Sequence, residues 1–251
     1  MATIFRSFFA RLWALWGLIS FVVTFSIIFP IACFKYLIKD PLKSQLYFNH
    51  VSRLWMHIWL RMIGCFPSIK GLSHFESHDN FIVVYNHRSM LDIPLSSPFT
   101  PGPNKTIGKS SFAKVPIFGL FYKMGTILID RKDENSRKKS YDLMALNLRL
   151  GMNVCIYPEG TRNRSNQPLK SFYDGAFKLS LDSGKRIIPC VIKGTDSALP
   201  VGQFLYLYPK KLEMIFLDPI APEGRSVQEI KHLVTQSMLN ELMRHSHDQK
   251  S

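Results

Sequence analysis

Hydrophobic and polar positions divide this chain into two regimes. From Leu12 to Phe34 no charged residue interrupts 23 consecutive positions. As one helix that run reaches about 35 Å, enough to cross the hydrocarbon of a bilayer. A second helical pattern runs from about Pro41 to Cys65, with Leu46, Val51, Leu54, Trp55, Ile58 and Met62 on one face and His50, Arg53, His57 and Arg61 recurring on another. Tryptophans beside a cationic stripe describe a helix lying in the membrane interface. The same pattern also fits a helix packed on its own domain with a solvated basic face. From Ile69 onward, short apolar runs alternate with amphipathic ones. Strands are expected at 80–85, 124–129, 152–157, 187–192 and 212–217, with a weaker candidate at 104–108, and helices near 134–150, 173–183 and 226–244. Unbroken apolar strands separated by helices predict an α/β fold: a largely parallel central sheet flanked by helices, preceded by an N-terminal membrane-associated two-helix segment. Gly151 and Gly184 stand where helices should end before the next strand. Residues 1–68 then form the membrane-associated helical pair and 69–251 the α/β domain, with 245–251 reading as a polar tail.

Charge sharpens the membrane reading. The net charge is +14. Residues 1–70 hold eight Lys/Arg against one acid, Asp40, so half the excess borders the most apolar part of the chain. Residues 101–141 add nine bases against three acids. A basic surface beside an apolar anchor is what an anionic bilayer attracts, which favours lipid over nucleic acid as the partner. Basic residues flank the first apolar run on both sides, so the positive-inside rule leaves its orientation open. A secretory signal is the rival reading, although the run exceeds a typical signal core. The four cysteines, Cys33, Cys65, Cys155 and Cys190, form no C-x-x-C pair, and Cys155 and Cys190 sit inside apolar runs as small buried hydrophobes.

Candidate chemistry sits where apolar runs end. Asn86-His87-Arg88-Ser89-Met90-Leu91-Asp92 follows the run 81–85 and puts an imidazole and a carboxylate five positions apart. They suit a general base and the group that orients it. The pattern H-x-x-x-x-D occurs twice, however, the second match being His74 and Asp79. That one lies in a polar connector, whereas His87 is followed by Leu91, Ile93 and Leu95, which would exclude water. His87 and Asp92 can meet only if the chain bends between them, because neither a helix nor a strand brings positions five apart onto one side. A strand ending at Asn86 and a helix beginning near Ser89 would supply that bend. Ser89-x-x-Asp92 also has the form of a capping box, in which Asp92 would merely satisfy backbone donors at a helix start. A second block, Tyr157-Pro158-Glu159-Gly160-Thr161-Arg162, follows the run 152–157. Gly160 lets backbone amides approach a ligand and Arg162 offers a fork suited to phosphate or carboxylate. Arg131 ends another apolar run, so an anionic substrate is expected; the plainer reading of the second block is a solvated turn.

Taken together, these blocks resemble the glycerolipid acyltransferase family, and within it the 1-acyl-glycerol-3-phosphate (lysophosphatidic acid) acyltransferases. The resemblance covers roughly residues 75–200 and rests on four ordered motifs: 86–92; Lys109 through Val115-Pro116-Ile117-Phe118-Gly119 to Ile129-Asp130-Arg131; 157–162; and Ile188-Pro189-Cys190-Val191. It implies that His87 takes the proton from a glycerol hydroxyl as that hydroxyl attacks an acyl thioester, while Asp92 holds the imidazole. It implies that Lys109, Arg131, Glu159, Gly160, Thr161 and Arg162 bind substrate, chiefly the phosphoglycerol head, and that Pro189 shapes the acyl-donor side. No metal or cofactor is expected; acyl-CoA or acyl-carrier protein serves as co-substrate. The implied setting is the cytoplasmic face of a cell's inner membrane, and the implied product is phosphatidic acid. Another lyso-lipid or glycerol phosphate as acceptor, and a catalytically idle membrane-surface binding protein, are the alternatives. The chain departs from the family pattern at Ser110-Ser111-Phe112 and at Asp174, which touches acceptor identity more than reaction type.

Overall fold

The structure, a computed structural model, describes residues 2–75 and 79–248. It opens with α1 (Ala2–Cys33) and α2 (Pro41–Met62), then strands β1 (Phe66–Lys70) and β2 (Ile82–Tyr85). Helix α3 (Asp92–Phe99), β3 (Asn104–Lys109), α4 (Phe118–Gly125), β4 (Thr126–Ile129) and α5 (Glu134–Arg149) follow. The chain continues through β5 (Asn153–Ile156), α6 (Gly175–Ser183), β6 (Ile187–Lys193), the short α7 (Thr195–Ala198), β7 (Lys211–Phe216) and α8 (Val227–Asp248). The strands make one seven-stranded sheet in the order β1-β7-β6-β2-β5-β3-β4. Every neighbouring pair is parallel except β6–β7, so a largely parallel sheet carries a reversed pair at one edge.

Strand alternation builds two cores. Phe81, Val83, Tyr85, Cys155, Ile188 and Cys190 face one side and pack with α1, α2, α3 and α4. Ile82, Val84, Val154, Ile156, Ile187 and Val191 face the other and pack with α5, α6 and α8. Strands buried on both faces read as continuous apolar runs, which is why the central ones were legible. Several details differ from the sequence pattern. Met124 and Gly125, expected in a strand, close α4 instead. Strand β1 was not expected because its burial alternates exposed and half-buried and Pro67 interrupts it, as suits an edge position. The expected boundary at 68/69 falls inside this strand. Helix α3 begins at Asp92 rather than near Ser89. Gly151 and Gly184 take φ of +86° and +65° at the ends of α5 and α6. Helix α8 runs on into the stretch read as a tail, and residues 249–251 lie outside the described ones.

The helical pair is joined to the sheet domain side chain by side chain. Small residues on α1 (Ala10, Ala14, Gly17, Ser20, Ala32) are buried. The indole of Trp59 donates to Gly17 O at 3.1 Å and that of Trp55 to Thr24 Oγ1 at 2.9 Å. Trp13 and Trp16 on α1 donate back to Ile63 O and Met62 O, both at 2.9 Å. Trp55 and Trp59 are therefore inward anchors, not interface residues as the cationic-stripe pattern suggested; their rings need the apolar core and their N–H groups need a partner there. Arg53, part of that stripe, donates to Pro98 O and Thr100 O at 2.7 and 2.9 Å and so closes the end of α3. The outward face of α1, including Phe5, Phe8, Leu12, Ile19, Val23 and Ile27, is left exposed. This is the one described helix long and apolar enough to cross a membrane.

Asn86 fastens the centre of the sheet. Just past β2, its amide donates to Ile192 O at 2.9 Å and accepts from Ile192 N at 2.7 Å, extending the β2–β6 ladder through a side chain. Asn86→Ala should leave both buried groups unpaired and cost roughly 2–4 kcal/mol, read as a lowered midpoint in thermal or denaturant unfolding.

Candidate functional site

Connections leave the carboxyl ends of adjacent strands β2 and β5 toward opposite faces of the sheet. After β2 the chain passes to α3, which packs in the core shared with α1 and α2; after β5 it passes to α6 in the other core. Such a divergence opens a crevice at the strand ends, the usual ligand position in open α/β sheets. His87 emerges on one side of it and Glu159–Arg162 on the other.

The expected bend between His87 and Asp92 is present. His87 Nδ1 and Asp92 Oδ2 lie 2.7 Å apart. The same oxygen accepts from Arg88 N at 2.7 Å and Ser89 N at 2.8 Å, and Oδ1 accepts from Thr195 Oγ1 at 2.5 Å. Asp92 thus caps the turn and orients the imidazole at once; the two readings of this segment were not exclusive. With Nδ1 committed to a carboxylate it carries the proton, and Nε2 keeps a free lone pair. The ring packs against Tyr157 with centroids 4.5 Å apart. Burial, and then the charge of Asp92, pushes the Tyr157 phenol well above its ordinary range, so it stays neutral, donating to Ser96 Oγ at 2.6 Å. The rival histidine pair does not form: His74 Nε2 lies 3.8 Å from Asp218 Oδ1 and Asp79 pairs with Arg186 at 2.8 Å, while 76–78 fall outside the described residues.

Glu159 is fully buried. Its carboxylate accepts from His87 N at 2.7 Å and from Lys170 N at 3.0 Å. Glu159 therefore does not offer its side chain to a ligand, as its motif suggested; it ties the loop after β5 to the backbone of His87. Asn163 N completes the tie by donating to His87 O at 2.7 Å. Burial raises the Glu159 carboxyl above its usual range, partly offset by those backbone amides. Gly160 has φ +73°, and a Cβ there would stand 2.6 Å from the Tyr173 ring and 3.7 Å from Arg131 Nη1. Arg131 starts two strands away, about 10 Å along the sheet edge, and its side chain spans the gap. Arg162 is half-buried one residue before Asn163, and Thr161 accepts from Lys170 Nζ at 3.1 Å. Lys109 ends β3, exposed, beside Ile129 of β4. Pro189 is not brought to this edge. It pairs with Val84 in mid-strand, buried on the α6/α8 face away from Tyr157, because its register follows Val84.

Sequence reading missed Thr195 and the bridge beside it, in which Arg88 Nε donates to Asp196 Oδ2 at 2.8 Å and Nη1 to Gln167 O at 3.0 Å. Gly194-Thr195-Asp196 follows an apolar run just as His87 does, which was the available signal. What the geometry offers is an imidazole oriented through Nδ1, backed by two buried carboxylates, with the Arg131 guanidinium reaching Gly160 and Arg162 half-buried in the same loop.

Glu159 gives a pH signature. A carboxyl whose folded pKa is raised binds its proton more readily in the folded chain, so its contribution to stability falls as pH rises from about 4.3 through the raised value, and is level beyond. In melts over that range the stability of the native chain minus that of Glu159→Gln should decline with pH; a difference independent of pH would contradict the burial argument.

Comparisons with known proteins bear on this site. The acyltransferase family model matches residues 67–193. The chloroplastic 1-acyl-sn-glycerol-3-phosphate acyltransferase LPAT1 of Arabidopsis thaliana is 29% identical over 215 residues, covering 80% of this chain and 57% of that protein. The 1-acyl-sn-glycerol-3-phosphate acyltransferase of Escherichia coli is 33% identical over 129 residues, covering 49% of this chain and 51% of that protein. The matched part thus spans little more than half the length of these curated relatives. The crystal structure of the 1-acyl-sn-glycerophosphate (LPA) acyltransferase PlsC from Thermotoga maritima superposes with a TM-score of 0.79 at 22% identity, covering 98% of each chain, a likeness of fold.

Proposed function

The chain belongs to the acyltransferase family, and from that membership and the geometry of its site we propose that it transfers an acyl chain from a thioester to the free glycerol hydroxyl of a lysophospholipid. The acceptor we favour is 1-acyl-glycerol-3-phosphate, giving phosphatidic acid, and the donor is an acyl-CoA or acyl-carrier-protein thioester. The observation that carries the reading is the 2.7 Å His87–Asp92 pair at the mouth of the β2/β5 crevice.

In this mechanism His87 Nε2 removes the hydroxyl proton as the oxygen attacks the thioester carbonyl. The resulting imidazolium is stabilised by Asp92. Collapse of the tetrahedral intermediate breaks the C–S bond, and the imidazolium returns its proton to the departing thiolate, a good leaving group with a thiol pKa of about 8.5. Arg131 and Arg162, whose guanidinium groups have no partner among the described residues, hold the phosphate of the acceptor. Glu159, Asn163 and Thr195 position the base; Gly160 keeps the approach to Arg131 open. Lys109 adds positive charge to the same rim.

The site works at a membrane surface. Helix α1 is bonded to the rest of the chain from Ala10, whose carbonyl accepts from Leu207 N at 3.1 Å, to Ile31, whose carbonyl accepts from Tyr47 at 2.9 Å. Crossing a bilayer would drag α2 and one face of the sheet into hydrocarbon, so we infer that α1 lies in one leaflet with its outward face in lipid. Four free thiols suit the reducing, cytoplasmic side of an inner membrane.

Transfer of labelled acyl groups by the full chain in vesicles tests the reading. His87→Ala should lower the rate by about 10²–10⁴-fold and His74→Ala should not; equal effects would misplace the base. Arg131→Ala and Arg162→Ala should each raise the acceptor KM by about ten- to a hundredfold. Thr195→Val should lower kcat about tenfold with KM unchanged, and Thr195→Ser should restore it; a change confined to KM would deny Thr195 its positioning role.

A further inference from the structure

One motif of the sequence takes no part in the site: Val115-Pro116-Ile117-Phe118-Gly119. Here Phe118 N donates to Pro116 O at 2.6 Å, closing a three-residue turn around Ile117. Ile117 has φ 59° and ψ −54°. That is a γ-turn of the rare, non-inverse form, strained for any side chain and more so for a β-branched one. The strain does not serve burial. Ile117 is 60% exposed, and Val115 and Leu120 beside it are exposed as well. An apolar residue held outward by an unfavourable backbone, when relaxing the turn would release both, points to an apolar environment outside the chain.

Its surroundings identify that environment. Phe118 turns inward, its ring 6.2 and 5.8 Å from Phe21 and Phe25 of α1. The turn is thereby mounted on the helix whose other face is a long exposed apolar surface. Gly119 fixes it from below, because a Cβ there would stand 2.3 Å from Ala113 O. Lys114 and Lys123 flank the turn, exposed and with no partner among the described residues. Lysines bordering an apolar tip are placed to meet anionic headgroups while the tip enters the acyl layer. The turn lies in the β3–β4 connection, which leaves the sheet at Lys109, and β4 then returns the chain to Arg131 at that same carboxyl edge. The turn therefore joins the α1 surface to the side of the sheet where Lys109 and Arg131 stand.

We propose that the turn at Ile117 is a lipid-inserted lip, through which a lysophospholipid leaves an anionic bilayer for the crevice at His87. Delivery to the crevice rests on the reading under Proposed function; insertion of the lip does not. Both are measured on the full chain with vesicles of phosphatidylcholine and phosphatidylglycerol in equal parts. Ile117→Asp should weaken flotation with these vesicles by about tenfold or more, whereas Leu233→Asp, on exposed α8 across the sheet, should not. Ile117→Asn, a side chain that tolerates positive φ, gives the same result should the aspartate disturb the fold. For transfer, both Ile117 variants should lose rate on a long-chain lysophosphatidic acid embedded in vesicles and stay within about twofold on a short-chain, water-soluble one. Unchanged flotation overturns the lip. Parallel loss on both acceptors overturns it as an entry route and makes Ile117 part of the catalytic fold. If the unsubstituted chain transfers nothing, the acyltransferase reading fails, and flotation alone still decides insertion.

Discussion

A carboxylate removed from water must recover its hydrogen bonds from protein or be expelled, and Asp92, 1% exposed, recovers four. The donors come from three places: the imidazole of His87, the amides of Arg88 and Ser89, and the hydroxyl of Thr195 beyond β6. No straight segment can deliver the first three to one side chain, so the chain must turn sharply between β2 and α3. The fourth requires the end of β6 to stand beside that turn, which the β2–β6 ladder and the Asn86 amide ensure. The sheet order and the orientation of the imidazole are thus consequences of one another.

Glu159 repeats the logic across the crevice. Its oxygens accept from His87 N and Lys170 N, so the loop after β5 is stitched to the backbone of His87. Two buried carboxylates behind one imidazole make the interior of the site negative, and the charge of Asp92 adds to the raised carboxyl of Glu159. The cations sit outside, at Arg131, Arg162 and Lys109. In the reaction we propose, an anionic acceptor is held at the rim while the imidazolium forms where it is stabilised. Separation of the two signs by depth would let one crevice bind an anion and still favour proton transfer to His87.

Sequence legibility followed the strength of each physical signal. Central strands buried on both faces announced themselves as apolar runs, and the motifs at their carboxyl ends marked the edge where His87 and Asp92 meet. Edge strand β1, half-exposed and carrying Pro67, had no such run. Helix α4 was hidden because Met124 and Gly125 continue directly into the apolar β4, and no polar residue punctuates the change. Glu159 and Pro189 sit in recognised blocks, yet the Glu159 carboxylate binds backbone amides and Pro189 lies buried in mid-strand opposite Val84. Burial of a particular side chain depends on register with Val84 or contact with Lys170, and neither pairing is written locally. Thr195 was missed for the same reason, since its partner lies 103 positions away.

The tryptophans of α2 carry that lesson to the membrane side. An aromatic–cationic helix is ambiguous from sequence because an indole N–H is satisfied equally by a headgroup or by a carbonyl inside the protein. Here Gly17 O and Thr24 Oγ1 supply the partner, and the small residues of α1 admit the rings. Turning Trp55 and Trp59 inward transfers the apolar exterior from α2 to α1. It also makes the helical pair rigid with the sheet, since Arg53 of α2 closes α3, and α3 begins with Asp92. Helix α1 is thereby connected through α2 to the helix that begins at Asp92, the carboxylate partner of His87. The position of the site relative to the apolar face of α1 is in this way fixed by covalent continuity and buried hydrogen bonds, not by a flexible tether.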